Sequence, residues 1–175
     1  AELFGHWWFE GPQFIESLMR KIAYDTDQLE TLTPSDVLER MPEQQVASIE
    51  PCTWGAGGYF DVWLGGSNEW CMPHLIGISE RFFLQLRDRL GESEEVDRLL
   101  AQLCREMMLA QSSDWPFLMS TGTAVGYASK RFVEHVQRFN RIDDMLRSGH
   151  VDESFLELCE DRDGMFPSLE LEDFV

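Results

Sequence analysis

The side chains best suited to chemistry stand at the start of the chain. Four aromatic rings, two carboxylates and an imidazole fall within residues 2–10, in the run Glu2-Leu3-Phe4-Gly5-His6-Trp7-Trp8-Phe9-Glu10. Aromatic faces stack on the CH-rich faces of sugars, and carboxylates or an imidazole can hydrogen-bond to their hydroxyls. The run therefore suits one subsite of a carbohydrate cleft.

A second group of candidate residues lies where the helical periodicity is lost, between Glu43 and Ser67. Here aromatic residues, including Trp54, Tyr59 and Trp63, alternate with glycines. Glycine permits positive φ angles and close backbone approach, so the segment predicts a shaped binding loop on a helical scaffold. The alternative is a loop that only covers the core.

Several carboxylates adjoin aromatic residues and could serve a glycosidase: Glu2, Glu10, Asp61 and Asp114. A glycosidase needs two carboxyl groups about 5–10 Å apart, and sequence spacing does not fix that distance. Asp114 has the alternative of capping a turn at Trp115-Pro116. No metal or cofactor is predicted, because the four histidines and four cysteines lack ligand spacing and no phosphate-binding or nucleophile motif occurs.

The charge and composition exclude several classes of partner. A formal charge of −18 opposes binding to nucleic acid and to anionic membranes. No apolar run reaches the roughly 20 residues that span a bilayer, and no signal-like segment begins the chain. Cysteines without paired spacing fit reduced thiols, so we expect a cytoplasmic protein.

A length of 175 residues predicts one domain, or one domain with part of another.

The apolar spacing predicts six helices. They cover Pro12–Tyr24, a short stretch after the N-cap Thr33, a long helix capped by Ser67-Asn68 and ending at Gly91, a helix opening at Ser93, one over 124–145, and one capped by Asp152. Asp114-Trp115-Pro116-Phe117 is expected to be a turn. The fold class is thus all-α: a helical bundle with a long Gly/Trp-rich loop, and a possible strand stub over Glu2 to His6.

Three segments in order carry a resemblance to a known family. The run from Glu2 to Pro12 resembles the motif after the catalytic acid in α-glucan branching enzymes of glycoside hydrolase family fifty-seven (GH57). Residues 111–117 and Lys130-Arg131-Phe132 resemble the helical C-terminal region of that family. The similarity spans nearly the whole chain.

The resemblance implies that the catalytic groups stand elsewhere. The family's aspartate acid would immediately precede Ala1, and its His-x-His-x-Pro strand and glutamate nucleophile are not found in the 175 residues. They would belong to an upstream seven-stranded β/α barrel of the same protein, and the stub over Glu2 to His6 would come from the edge of that barrel. We therefore assign no catalytic residue here and expect residues 1–11 to end the barrel motif, 12–162 to form the helical domain, and 163–175 to be an acidic tail.

The resemblance also implies roles for particular side chains. Trp54 and Trp63 would line the acceptor side of the α-glucan site, and His6 and Trp7 would line the cleft beside the acid. Asp114 with Trp115 would shape the cleft by hydrogen bonding. The implied activity is retaining transfer of an oligoglucan to a 6-hydroxyl, which forms α-1,6 branches in glycogen.

Two other functions stay open at the level of sequence. One is a non-catalytic helical module that binds α-glucan or a protein partner. The other is a related amylase or glucanotransferase specificity, although the His-Trp-Trp form of the motif favours branching.

Overall fold

The computed structural model describes Phe4 and residues 7–175, apart from the side chain of Ala56. Every regular element within these residues is helical, which confirms the all-α prediction. The chain divides into two compact units, an N-terminal unit (1–50) and a C-terminal unit (51–175). The predicted stub over Glu2 to His6 lies outside the described residues apart from Phe4, and the predicted division at residues 11 and 162 stays a prediction.

The N-terminal unit carries α1 (Gly11–Tyr24) and α2 (Pro34–Arg40). Thr33 caps α2 as predicted: its side chain accepts from the Asp36 backbone, and the Asp36 carboxylate accepts from the Thr33 backbone. Gly11 is buried against the backbone of Phe4, where a Cβ would lie 2.3 Å from the Phe4 carbonyl oxygen, so only glycine fits. Within the described residues of this unit, many large apolar side chains are solvent-exposed, among them Phe9, Tyr24, Leu29, Val46 and Ile49.

The C-terminal unit contains the hydrophobic core. Its helices are α3 (Cys71–Arg89), α4 (Glu94–Ala110), α5 (Asp114–Thr121), α6 (Val125–Ser148) and α7 (Glu153–Arg162). The largest fully buried side chains come mainly from α3, α4 and α6: Phe82, Phe132, Phe139, Ile78, Leu86, Leu99, Leu100, Leu103, Ile142 and Leu156. Apolar residues at helical spacing on one face of each of these three helices meet in one core, as the apolar periodicity predicted.

Helix boundaries in this unit follow from local hydrogen bonds. Ser93 accepts from the Val96 backbone N–H and begins α4, and Asp152 does the same for α7 through Phe155. Gly149 ends α6 with φ +68°, a left-handed conformation that glycine adopts without strain.

The predicted turn at Asp114-Trp115-Pro116-Phe117 is wrong, because these residues begin α5. Pro116 is the third residue of the helix, where the backbone N–H has no intrahelical acceptor, so its absence costs nothing. Seven α-helices therefore lie in the described part of the chain, where six were expected. The predicted cap of α3 at Ser67-Asn68 is also wrong, since α3 begins after Trp70 without a side-chain cap.

The segment after α7 is anchored to the core. A short 3₁₀ turn over Leu171–Phe174 buries Leu171, and the ring of Phe174 lies 6.0 Å from that of Phe82 in an edge-to-face arrangement. Arg105 holds the approach to this turn, because its Nε donates to the Met165 carbonyl at 2.8 Å. No helix in the described residues is both long and apolar enough to cross a membrane.

Candidate carbohydrate-binding surface

Three aromatic rings meet at the surface of the C-terminal unit, and we call them the aromatic platform: Trp54, Trp63 and Phe117. Trp54 lies 6.1 Å from Trp63 and 5.8 Å from Phe117, and Trp63 lies 6.3 Å from Phe117, between ring centroids. Trp54 is 71% exposed, while Trp63 and Phe117 are half-buried. The platform thus offers exposed ring surface that is supported from below.

Glycines and backbone hydrogen bonds fix the shape of the loop that carries the two tryptophans. Gly55 has φ +135°, and a Cβ on it would lie 2.9 Å from Val62 Cγ2. The hydroxyl of Thr53 donates to the Tyr59 carbonyl at 2.6 Å. The indole Nε1 of Trp63 donates to the Trp54 carbonyl at 2.8 Å, which holds one tryptophan against the other.

Asn68 joins this loop to α5. Its side chain is buried, with Oδ1 accepting from the Gly65 backbone at 3.0 Å. Its Nδ2 donates to the Val62 carbonyl at 2.7 Å and to the Pro116 carbonyl at 3.0 Å. Val62 directly precedes Trp63 and Pro116 directly precedes Phe117, so one amide positions two members of the platform.

Asp114 is exposed to solvent, whereas its neighbour Trp115 is buried. Asp114 is exposed at the start of α5, where its Oδ2 accepts from the Ser112 hydroxyl at 2.9 Å. Trp115 is buried: its Nε1 donates to the Leu109 carbonyl at 2.7 Å and its ring stacks on His135 at 6.2 Å. Trp115 therefore anchors the helix that presents Phe117.

The residues predicted at the start of the chain belong to the N-terminal unit. His6 lies outside the described residues. Trp7 is 73% exposed, whereas Trp8 is half-buried, with its ring 5.2 Å from Phe14 and 5.8 Å from Phe4. The cleft-lining roles of His6 and Trp7 stay predictions, as do the roles of the other four predicted site residues.

A cluster of charged side chains lies inside the C-terminal unit, and we call it the polar core: Glu106, His135, Arg138 and Asp163. His135 Nδ1 lies 2.8 Å from Glu106 Oε2, and Arg138 Nε donates to the same oxygen at 3.1 Å. Arg138 Nε also lies 3.1 Å from Asp163 Oδ2. That second contact is an ion pair and not a hydrogen bond, and Asp163 Oδ2 has no hydrogen-bond partner.

Burial raises the pKa of Asp163, and the negative charge of Glu106 adds to the rise, while the Arg138 guanidinium opposes it. In the described residues, Glu106, His135 and Asp163 are also near enough to one another to hold a metal ion. The Arg138 guanidinium already lies against both carboxylates and supplies the compensating positive charge. The arrangement is that of a structural ion-pair network.

Sequence reasoning missed Phe117 as a member of the platform and Asn68 as the side chain that supports it. Phe117 was assigned to a turn and Asn68 to a helix cap, whereas the structure brings both beside the two tryptophans. The position of Phe117 directly after Trp115-Pro116 could have indicated that its ring belongs to the same aromatic surface. No local signal identifies Asn68, because its partner Pro116 is 48 residues away.

The C-terminal unit is thus an all-helical domain that presents two tryptophans on a loop shaped by glycines. The family described as "1,4-alpha-glucan branching enzyme, C-terminal" matches residues 74–174. The chain belongs to this family of branching-enzyme C-terminal domains.

Individual relatives agree with that assignment. A 1,4-alpha-glucan branching enzyme from Thermococcus kodakarensis is 33% identical over 171 residues, which are 95% of this chain and 25% of the relative. The crystal structure of a GH57-type branching enzyme from Pyrococcus horikoshii has a TM-score of 0.79 at 32% identity, covering 98% of this chain and 33% of that one. The chain thus spans about a quarter to a third of these two proteins.

A solved structure with another named activity is also similar. The α-amylase AmyC from Thermotoga maritima has a TM-score of 0.71 at 37% identity, over 98% of this chain and 31% of that one. The helical domain is therefore shared by GH57 proteins named for branching and by a protein named for hydrolysis.

Proposed function

We propose that this chain forms the acceptor side of an α-1,4-glucan branching site, with the aromatic platform as its sugar-binding surface. The observation that carries the proposal is the exposure of Trp54 on a loop whose shape is held by glycines and hydrogen bonds. A large aromatic ring that is exposed contributes little to the stability of the core, whereas it can stack well on a glucosyl ring.

The proposed chemistry is retaining transglycosylation that forms α-1,6 branches in glycogen. An upstream β/α barrel would supply the glutamate nucleophile and the aspartate acid, and this chain would supply binding. Rings that order an incoming glucan and exclude water favour attack by an acceptor hydroxyl over hydrolysis of the glycosyl-enzyme. As the family resemblance implies, His6 and Trp7 would line the cleft beside the acid, while Asp114 and Trp115 would hold the helix that presents Phe117.

The charge of the chain supports a neutral substrate. With 32 acidic against 14 basic residues, a phosphorylated or anionic ligand would meet repulsion, whereas an uncharged glucan would not. We also keep the cytoplasm as the proposed location, where the expected reduced cysteines would persist.

Hydrolysis is the second candidate activity, because the similar Thermotoga maritima protein is named an α-amylase. In the barrel-containing enzyme, the two activities separate by product analysis: branching forms α-1,6 linkages without new reducing ends, and hydrolysis forms reducing ends. A Trp54→Ala variant that loses branching but keeps hydrolysis would support the acceptor role.

The binding part of the proposal is testable on the 175-residue chain by titrating maltoheptaose and following tryptophan fluorescence. Trp54→Ala and Trp63→Ala should each weaken binding about tenfold, the equivalent of about 1.4 kcal/mol of lost stacking. Phe83→Ala is the matched control, since Phe83 is a half-exposed ring on α3 that contacts Phe82 away from the platform.

Unchanged affinity in both tryptophan variants would refute the platform as a glucan site. Absence of any binding by the native chain would favour the alternative of a module that recognises a protein. Because Trp54 is mostly exposed, its removal should change the free energy of unfolding by less than about 0.5 kcal/mol, which separates lost binding from lost folding.

A further inference from the structure

A cavity in the C-terminal unit lies between the start of α3 and the middle of α6. It has a volume of about 220 Å³, and we call it the α3–α6 groove. Trp70 and His74 form one wall, Phe132 and Val133 form the apolar part, and Gln137 and Asn140 complete the rim. Small-molecule sites of about 300–1,000 Å³ hold drug-sized ligands, so this groove fits a single sugar ring.

The apolar part of the groove is built from rings that support one another. Trp70 meets Phe132 edge to face at 5.2 Å between centroids, and His74 lies 6.3 Å from both rings. The indole Nε1 of Trp70 is oriented by the Ser67 carbonyl, at 3.3 Å. Trp70 remains 38% exposed, although it packs on the fully buried Phe132.

The polar rim has unused hydrogen-bonding capacity. In the described part of the chain, the side chains of His74 and Gln137 have no hydrogen-bond partner, and the Nδ2 of Asn140 donates to no group. Asn140 is nevertheless held in place, because its Oδ1 accepts from Arg81 at 2.6 Å. These three side chains can offer both donors and acceptors to a ligand.

The two walls of the groove are fixed before any ligand arrives. Arg81 on α3 forms an ion pair at 2.9 Å with the buried Asp143 on α6, in addition to its bond to Asn140. Gln85 donates to the other oxygen of Asp143 at 2.8 Å. A preformed groove loses little conformational entropy on binding.

The absence of charge from the groove identifies the class of ligand. None of its lining residues is Lys, Arg, Asp or Glu, although 26% of the chain is charged. An anionic or cationic ligand would find no counter-charge, whereas a neutral polyhydroxyl ring would find an apolar face and amide or imidazole partners. We infer that the α3–α6 groove binds a glucosyl unit of an α-glucan as a second site, separate from the aromatic platform; the choice of α-glucan rests on the proposed function.

Calorimetric titration of maltoheptaose into four proteins tests the inference: the native chain, the Trp54→Ala/Trp63→Ala variant, Trp70→Ala, and the combination of all three changes. We expect two sites in the native chain, one in each partial variant and none in the combination.

The outcomes separate this inference from the proposed function. If Trp70→Ala binds with native affinity and stoichiometry, the groove is not a glucan site and the platform stands. If binding is lost only when Trp70 is changed, the groove stands and the platform fails. If no protein binds maltoheptaose, both are overturned.

A second variant guards against a folding defect, because Trp70 packs on the core. Gln137→Ala removes an exposed rim amide and should weaken the groove site about threefold to tenfold, with the melting temperature unchanged. Phe83→Ala, further along α3, should leave both sites intact. Native binding by Gln137→Ala together with Trp70→Ala losing its fold would overturn the inference.

Discussion

The polar core and the aromatic platform place opposite kinds of side chain in opposite environments. Glu106 and His135 are charged or polar and fully buried, whereas Trp54 is large, apolar and mostly exposed. Each placement opposes the solvation preference of the side chain, so each needs a compensating interaction. Inside, the compensation is the guanidinium of Arg138. Outside, the described residues offer none for the exposed face of Trp54, and we propose that a ligand provides it.

The difference shows how to distinguish structural from functional residues in one domain. The three residues grouped as potential metal ligands and the buried Trp115–His135 stack look like site chemistry, but their partners lie within the protein. The platform has few titratable groups, and its rings are presented to solvent. Substitutions should therefore affect stability in the polar core and binding on the platform.

The largest effect on stability should come from Glu106→Ala. Its carboxylate accepts from Gln102 and Arg138 and lies against His135, so removing it takes away three buried or part-buried interactions and leaves Asp163 as the remaining carboxylate beside Arg138. We expect a loss of about 3–5 kcal/mol in the free energy of unfolding, measured by urea denaturation. Glu157→Ala, an exposed carboxylate on α7, is the control and should change it by less than about 0.5 kcal/mol. A loss below about 1 kcal/mol for Glu106→Ala would mean that the polar core is not structural.

Asn68→Ala should have an intermediate effect on stability and should also change the arrangement of the aromatic platform. Three part-buried backbone groups lose their side-chain partner, and we expect a loss of about 2–3 kcal/mol in the free energy of unfolding. The near-ultraviolet circular dichroism of the tryptophans should change as well, because Val62 and Pro116 adjoin platform residues. Ser67→Ala, one residue earlier and exposed, should change neither quantity. Native near-ultraviolet spectra for Asn68→Ala would show that the platform does not depend on this amide.

The smallest effect should be the pH dependence contributed by Asp163. Burial and the charge of Glu106 raise its pKa in the folded state, so the folded chain retains a proton that the unfolded chain has already released. Its contribution to the free energy of unfolding should therefore fall as the pH rises from about 4, the ordinary aspartate value, through the raised pKa, and should be constant above it.

The measurement is the difference in unfolding free energy between the native chain and Asp163→Asn across that pH range. The difference should decrease with rising pH, whereas Asp161→Asn, an exposed neighbour, should show no such trend. A difference that increases with pH would mean that Arg138 and Arg131 dominate over burial and lower the pKa instead.

Sequence patterns predicted most of the helices because their determinants are local. Apolar residues at helical spacing, with Thr33, Ser93 and Asp152 as caps, located α2, α4 and α7 to within a residue or two. The helix α5 was missed because Asp114-Trp115-Pro116-Phe117 interrupts the apolar periodicity and was interpreted as a turn. Only the position of Pro116 in the first turn makes it compatible with a helix.

The candidate site was predictable in part. Trp54 and Trp63 could be selected because tryptophans among glycines are unusual in a plain connection. Asn68 and the α3–α6 groove could not, because each depends on residues far apart in sequence: Asn68 meets Pro116, and Trp70 meets Phe132. Such pairings arise from packing, which periodicity does not encode.

The bond from Asn68 to Pro116 also has a kinetic consequence. It closes a segment of 48 residues that contains α3 and α4, so its formation carries a larger loop-closure entropy cost than the local contacts within those helices. The platform should therefore be among the last parts of the domain to assemble. A nascent or partly folded chain would then have helices but no platform, and glucan binding would report on completed folding.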